Sequence, residues 1–301
     1  MSRIVAVFVC TLLAVSACAA QPRGRALIVG VNDYADPGIT DLRYSVADAK
    51  LLHSLLTDPA RGLFPADQVR LLTDESPEGS KPDRATILEG LEWLSGAAEE
   101  EAVLFYFSGH GMVDDKGRQY LASRDVRMAS LASTGVPVSL VNEILDDTAK
   151  TKARQVVVIL DSCHSGVRRG ARDAASESGQ VMENLLSQGE GRVTLSSCAA
   201  DEQSFEDPEK GHGVFTYYLA QGLRGQADAN NDGLVGVGEL HVYVRNEVVD
   251  WAKARGNRQT PRVQSNVSGE IVLAKDPAKF EAALRAKSEE RARLTRLRDR
   301  L

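Results

Sequence analysis

The chain has 301 residues, of which 43% are hydrophobic and 26% are charged, and its formal net charge is −6. This composition is typical of a globular protein and excludes disordered, collagen-like and other fibrous classes. It also argues against a nucleic-acid partner, because binding nucleic acid requires a concentrated basic face.

The amino terminus has the pattern of a secretory signal peptide. A short positive start at residues 1–3 is followed by the apolar run 4–15 and then by small residues, the order expected of a signal peptide and its cleavage site. The apolar run is short for a transmembrane helix, and a retained membrane anchor is the alternative. We predict a signal peptide at 1–20 and export from a bacterial cell to the periplasm, the membrane surface or the medium.

Cys18 is a candidate site of lipid attachment. Val15-Ser16-Ala17-Cys18 resembles a bacterial lipobox, in which the cysteine is lipidated and becomes the first residue. Ordinary cleavage at 17–19 is the alternative, and both predict export. Several acyl chains on one cysteine hold a protein firmly at a membrane, whereas a single chain holds it weakly. We favour a lipoprotein with a lipid anchor through Cys18.

The hydrophobic pattern predicts strands that alternate with helices. In chain order we predict a strand at 25–31, a helix at 44–57, a strand at 69–72, a helix capped by Asp83 and ending near 94, strands at 103–107 and 120–122, a helix at 140–148, strands at 155–160 and 193–196, helices at 214–223 and 239–254, and a late edge strand at 270–273. This alternation predicts an α/β fold with a mostly parallel sheet and helices on both faces, a three-layer sandwich.

Two predicted strands run into motifs with reactive side chains. Strand 103–107 continues into S-G-H-G at 108–111, and strand 155–160 continues into D-S-C-H-S-G at 161–166. Functional residues of parallel sheets gather just past the carboxyl ends of the strands. We therefore expect both motifs to form glycine-flanked turns at one edge of the sheet.

The two motifs favour catalysis by a cysteine nucleophile. Cys163 needs a nearby base or cation to become a thiolate, and His110 on a neighbouring strand can act as that base. The backbone N–H groups of Gly111 and Cys163 can face a developing oxyanion. The alternatives are a turn histidine and a buried cysteine, or zinc bound with His164 and Cys198, although these residues lack the paired spacing of common zinc sites.

These motifs, with the run at 25–55, resemble the caspase-fold cysteine peptidases (peptidase C14 type), and more the metacaspase and bacterial caspase-like branch than the animal caspases. The resemblance covers roughly 24–255. It implies a caspase-like sheet and a cysteine-type endopeptidase in which His110 is the general acid and base and Cys163 attacks the peptide carbonyl. A catalytically silent binding or scaffold lipoprotein with the same fold is the alternative.

The resemblance also implies a substrate-binding pocket for a basic side chain, formed by Asp48, Ser108 and Asp161. Two carboxylates at the base of a pocket favour Arg or Lys and repel Asp. We therefore expect cleavage after Arg or Lys. The alternative is that Asp48 satisfies backbone donors and Asp161 begins a turn.

Two further hypotheses concern maturation and redox state. The segment 166–191 is predicted to be a loop, and its arginines (Arg168, Arg169 and Arg172) make it a candidate for self-cleavage; a solvated loop is the alternative. Cys198 follows strand 193–196, and a disulfide between Cys163 and Cys198 would silence the nucleophile.

The segment 228–239 has the pattern of an EF-hand calcium loop. Asp228, Asn230, Asp232, Gly233 and Glu239 match its first, third, fifth, sixth and twelfth positions, and Leu234 would give a backbone carbonyl. We predict weak Ca²⁺ binding here and no organic cofactor. An Asx-rich turn is the alternative. Metacaspases are often calcium-activated, but through acidic residues elsewhere in the fold.

The predicted organisation is a signal peptide at 1–20, a caspase-like peptidase domain at 24–275 that includes the loop 228–239, and a charged helical tail at 276–301. The expected partners are peptide or protein substrates.

Overall fold

The structure is a computed structural model and describes residues 24–99, 101–151, 155–163, 191–199, 202–267 and 269–298. The predicted signal peptide, Cys18, His164 and the arginines of the candidate self-cleavage loop lie outside these residues.

Twelve strands occur in the described residues. In chain order they are β1 (Gly24–Gly30), β2 (Val69–Thr73), β3 (Ala102–Val113), β4 (Gln119–Leu121), β5 (Val136–Pro137), β6 (Gln155–Cys163), β7 (Arg192–Ser196), β8 (Glu206–Asp207), β9 (His212–Gly213), β10 (Leu234–Gly236), β11 (Arg262–Ser265) and β12 (Val272–Lys275).

An eight-stranded sheet organises the fold, with the spatial order β11-β7-β6-β3-β1-β2. The five strands from β7 to β2 in this order are parallel, and β11 is antiparallel to β7. The remaining two strands are β4, which is antiparallel to the end of β3, and β5, which pairs with β4. β8 pairs with β9 and β10 pairs with β12 in two small antiparallel sheets.

Helices cover both faces of the sheet. They are α1 (Ser45–Leu56), α2 (Arg84–Ser95), the short α3 (Leu131–Thr134), α4 (Val138–Thr151), α5 (Val214–Gln221), α6 (Val237–Lys253) and α7 (Pro277–Arg298). Alternate strand residues build two cores, one with α2 and α4 and the other with α1, α5 and α6. Each fully buried aliphatic or aromatic side chain stabilises these layers by roughly 1.5–3 kcal/mol. The predicted three-layer α/β fold is confirmed.

The strands that carry the S-G-H-G and D-S-C motifs end later than predicted. β3 continues through S-G-H-G to Val113, and β6 continues through Asp161 to Cys163, so the described parts of both motifs are strand and not glycine-flanked turns. The reason is tertiary pairing: β6 stays in register with β3 to the end, and β4 adds hydrogen bonds to the extension of β3.

Two smaller predictions are also corrected. The Asp83 side chain does not cap α2 but binds Arg124, whose Nε and Nη2 lie 2.8 and 3.0 Å from its two oxygens, and Asp125 accepts the N–H of Arg84 instead. The predicted late edge strand is β12, and it pairs with β10; the edge of the main sheet is β11.

The tail forms the helix α7, as predicted. None of the helices in the described ranges combines the length and apolar character needed to cross a membrane.

Candidate active site

The parallel register of β3 and β6 brings the two motifs together. The Cα atom of His110 is paired with that of Cys163, and two residues earlier the Cα of Ser108 is paired with that of Asp161. Positions two apart on a strand share one face of the sheet. The sheet backbone therefore sets the relative positions of the four motif residues.

The His110 side chain is buried and held from two sides. Its Nε2 lies 2.8 Å from the backbone carbonyl oxygen of Thr40, which can only accept a hydrogen bond. Its ring stacks on that of Tyr34 with centroids 5.0 Å apart. In a neutral imidazole with its hydrogen on Nε2, Nδ1 is the basic nitrogen. The Thr40 carbonyl thus selects the tautomer of His110.

Tyr34 also holds the backbone of the histidine. The backbone N–H of His110 donates to the Tyr34 hydroxyl at 2.9 Å, and that hydroxyl donates to the carbonyl of Val31 at 3.4 Å. A side chain at Gly109 would place its Cβ 2.8 Å from the Phe107 ring and 3.2 Å from the Tyr34 hydroxyl. Glycine at position 109 therefore leaves the space that the Phe107 ring and the Tyr34 hydroxyl occupy.

Two buried carboxylates, Asp48 and Asp161, lie close to each other beside the paired strands β3 and β6. Asp48, on α1, accepts the backbone N–H of Gly213 at 3.0 Å and lies 2.8 Å from Nδ1 of His212. A Cβ atom at Gly213 would lie 2.8 Å from Oδ2 of Asp48 and 2.9 Å from Oδ2 of Asp161. Gly213 therefore separates the two carboxyl groups, and no larger residue fits between them.

Asp161 is satisfied by hydroxyl groups. Ser204 donates to its Oδ1 at 2.8 Å, and Thr216 of α5 donates to its Oδ2 at 2.7 Å. Tyr106 connects this network to the third predicted pocket residue, since its hydroxyl lies 2.7 Å from Oγ1 of Thr216 and is hydrogen-bonded to Ser108. The structure thus brings Asp48, Ser108 and Asp161 into one buried polar cluster. We call this cluster the acidic pocket, after the substrate pocket predicted from the sequence.

Burial makes charge costly in the acidic pocket. It raises the pKa of Asp48 well above its usual value, and the nearby charge of Asp161 raises it further. Burial also raises the pKa of Asp161, although the Thr216 and Ser204 hydroxyls oppose this. The pKa of His212 is lowered by burial. Burial therefore disfavours a charged imidazole at the 2.8 Å contact between His212 and Asp48.

A family model described as the caspase domain matches residues 23–272. The chain belongs to the caspase domain family. Metacaspase-1A of Aspergillus terreus is 29% identical over 152 residues, covering 47% of this chain and 36% of the relative. Metacaspase-1 of Yarrowia lipolytica is 26% identical over 188 residues, covering 58% and 38%. Metacaspase-1B of Aspergillus fumigatus is 31% identical over 161 residues, covering 50% and 37%.

The chain thus spans 36–38% of the length of these curated relatives. The crystal structure of protein GSU0716 from Geobacter sulfurreducens superposes with a TM-score of 0.54 at 18% identity, covering 86% of this chain and 97% of that one. At this identity the likeness shows the fold alone.

Several residues of this caspase-domain site were missed by sequence reasoning. Tyr34 and Thr40 act through a hydroxyl and a backbone carbonyl in the segment after β1, where no motif marks them. His212 did carry a signal, because Gly211-His212-Gly213 repeats the glycine-flanked histidine of the first motif. Its distance in sequence from the other motifs concealed its contact with Asp48.

The other predicted site residues occupy different surroundings. Gly111 lies where β3 pairs with β4, with Leu121 as its partner. The thiol of Cys198 is buried and lies 3.5 Å from the carbonyl oxygen of Glu202. The segment 228–239 follows a π-helical turn (Gly222–Gln226) and includes β10 and the first residues of α6. Within the described ranges, no group of three or more His, Cys, Asp or Glu side chains is arranged to hold a metal ion.

Proposed function

We propose that this caspase-domain chain is a cysteine endopeptidase that uses a dyad of His110 and Cys163. The observation that best supports this proposal is the pairing of the two residues on adjacent parallel strands, together with the contact of His110 Nε2 with the Thr40 carbonyl. A base and a nucleophile must be within hydrogen-bond reach of each other, and adjacent strands lie about 4.8 Å apart.

The proposed reaction begins with proton transfer from the Cys163 thiol to Nδ1 of His110. The thiolate attacks the peptide carbonyl carbon. The resulting oxyanion accepts hydrogen bonds from the backbone N–H groups of Gly111 and Cys163. The histidine returns the proton to the leaving amine, giving an acyl-enzyme. Water, deprotonated by His110, then hydrolyses the thioester. Losing one oxyanion donor would cost on the order of 10²–10³ in kcat.

The proposed specificity is for Arg or Lys before the scissile bond. The acidic pocket supports it, because Asp48 and Asp161 are buried carboxyl groups on either side of Gly213. Burial raises the pKa values of both carboxyl groups, and the charge of Asp161 raises that of Asp48 further. A guanidinium or ammonium group between them would offset this cost of their negative charge. An Asp side chain would add a third negative charge and be rejected.

The test compares fluorogenic peptides that end in Arg, Lys or Asp, with and without calcium. We expect Arg and Lys peptides to be cut, Asp peptides to be refused and Cys163→Ala to abolish turnover. The matched control is Cys198→Ala, which removes a different buried thiol and should leave turnover within a few-fold of wild type. Turnover that survives in Cys163→Ala would contradict the proposal.

We also propose that calcium modulates cleavage through the loop 228–239. Peptide cleavage rates measured with Ca²⁺ and with a chelator test this directly. The proposal also includes export and a lipid anchor through Cys18. Loss of incorporated radiolabelled palmitate in Cys18→Ser, with retained export, is the expected outcome for the anchor.

The second candidate function is a catalytically silent binding protein that keeps the caspase fold. It is favoured if an active-site thiol reagent fails to label Cys163 in folded protein. Labelling of wild type, and its loss in Cys163→Ala, would favour the peptidase.

A further inference from the structure

The loop 228–239 contains a buried carboxylate that its own hydrogen bonds do not satisfy. The Asp228 side chain is only 2% exposed. Its Oδ2 accepts the N–H of Gly233 at 3.3 Å and lies 3.2 Å from Nζ of Lys279. Its Oδ1 is buried and has no hydrogen-bond partner among the described residues. A buried charged oxygen is normally paired or bound to a metal. The unsatisfied Oδ1 of Asp228 is therefore evidence for a bound cation at this position.

The partner of Asp228 comes from the tail. Lys279 lies in the first turn of α7, which packs directly on the loop: the N–H of Asp276 donates to the Gly233 carbonyl at 2.7 Å. A Cβ atom at Gly233 would lie 2.2 Å from the backbone nitrogen of Phe280. This close contact, at a φ of +80° that itself favours glycine, fixes Lys279 beside Asp228.

Two glutamate carboxylates accept hydrogen bonds from the backbone of this segment and the start of α6. Glu239 accepts the N–H groups of Asn230 and Gly236, each at the long distance of 3.4 Å, and Glu270 accepts the N–H of Gly238 at 2.9 Å. Long hydrogen bonds are weak. The Glu239 carboxylate is therefore held loosely at the position from which an EF-hand loop supplies its bidentate ligand.

We propose that the loop 228–239 binds one Ca²⁺ ion and that Lys279 competes with the ion for Asp228. The ion would take Oδ1 of Asp228, side-chain oxygens of Asn230 and Asp232, the carbonyl of Leu234 and the Glu239 carboxylate, all hard oxygen ligands. The Lys279 ammonium, whose side chain is 45% exposed, would move into solvent. The proposal deepens the proposed calcium modulation, but it rests on the loop and the tail and not on peptide cleavage.

Competition by Lys279 also explains why, in the described residues, the carboxylates of this segment are not already arranged around a metal position. The negative charges of the loop repel one another unless a cation lies among them. In the structure that role falls to the Lys279 ammonium at Asp228. Calcium affinity is then set by the ligands and by the cost of displacing this lysine.

The experiment is isothermal titration of the full chain with CaCl₂, comparing wild type with Asp228→Asn and Lys279→Met. The matched control is Lys287→Met, which removes an exposed lysine farther along α7. We expect one ion per chain with a Kd of about 10⁻⁴–10⁻³ M. Lys279→Met should bind about two- to fivefold more tightly, as loss of a competing ion pair with a partly exposed lysine implies. Lys287→Met should match wild type, and Asp228→Asn should not bind.

Absence of binding in both wild type and Lys279→Met would overturn the site, and equal affinity of Lys279→Met and wild type would overturn the competition. Glu239→Gln is the second ligand variant if Asp228→Asn fails to fold, and undiminished binding by it would also overturn the site. Because the readout is the metal alone, failure here leaves peptide cleavage standing, and binding without cleavage would isolate a failure of the peptidase proposal.

Discussion

The Cα atom of His110 is the register partner of the Cα atom of Cys163 on the adjacent parallel strand. The same strand pair aligns Ser108 with Asp161 two residues earlier. One backbone register therefore positions both the proposed dyad and one side of the acidic pocket. The residues that contact the dyad and the acidic pocket, Tyr34, Gly213 and His212 among them, come from other segments of the chain.

Tyr34→Phe removes the hydroxyl that accepts the backbone N–H of His110 but keeps the ring that stacks on the imidazole. A buried donor without its partner costs about 1–3 kcal/mol, so we expect lower stability in urea titrations. We also expect a reduced kcat with an unchanged KM, because the histidine is less well positioned. Tyr34→Leu, which removes the stacking as well, should be more impaired. A Tyr34→Phe variant with wild-type kcat and stability would refute this role.

Gly213→Ala tests the separation of the two carboxyl groups. Its methyl group would lie under 3 Å from Oδ2 of both Asp48 and Asp161, so the pocket must distort, and we expect kcat/KM for Arg peptides to fall at least about tenfold. Gly211→Ala is the control in the same hairpin: it has open space around it but a φ of +68°, so it should lose about 1 kcal/mol of stability without a change in KM. Equal kcat/KM values for Arg peptides in the two variants would count against this role of Gly213.

Asp48→Asn should separate stability from function. Burial and the charges of Asp161 and Glu206 raise the pKa of Asp48, so the folded state binds this proton more tightly than the unfolded state does. Its contribution therefore favours folding at low pH and is lost as the pH rises through the folded pKa. At pH 7 we expect Asp48→Asn to have a Tm no lower than wild type, while cleavage after Arg falls. A clear drop in Tm at pH 7, with none at pH 4, would contradict this sign.

We expect His212 to make the KM for Arg peptides depend on pH. Burial lowers the pKa of His212 from 6.5, which favours the neutral imidazole, and its Nδ1 lies 2.8 Å from Oδ1 of Asp48. Protonation in acid would add a positive charge beside the carboxylate. We expect the KM for Arg peptides to rise as the pH falls below 6.5 and the rise to be smaller in His212→Gln. Parallel KM profiles for the two proteins would exclude this role for His212.

Arg192 is expected to affect the stability of the fold and not catalysis. Its guanidinium is buried at the start of β7 and donates to Asn142 at 2.9 Å and to Asp146 at 3.1 Å. Removing one partner of a buried pair costs about 3–5 kcal/mol. Because Asp146 remains 15% exposed, we expect Arg192→Ala to lose about 3 kcal/mol in urea titrations. The exposed Arg262→Ala serves as the control and should change stability by less than about 0.5 kcal/mol.

Much of the architecture followed from local patterns. Continuous apolar runs at 103–107 and 155–160 and helical spacing at 44–57 and 239–254 predict elements that the structure contains, because burial on both faces of a parallel sheet requires such runs. The two motifs could be located for the same reason, since each directly follows an apolar strand. The sequence could not predict that both strands continue through the motifs, because that depends on hydrogen bonds from β4 and β6.

The sequence by itself determined which residues have reactive side chains and in which elements they lie: His110 and Cys163 after buried strands, Asp48 on an amphipathic helix and Asp228 at the start of an EF-hand pattern. Only the tertiary structure decided what each one contacts. His212 reaches Asp48 from 164 residues away, and Lys279 reaches Asp228 from 51 residues away. Periodicity and spacing report local geometry, whereas pKa values, tautomers and competing cations depend on which distant groups packing brings within a few ångströms.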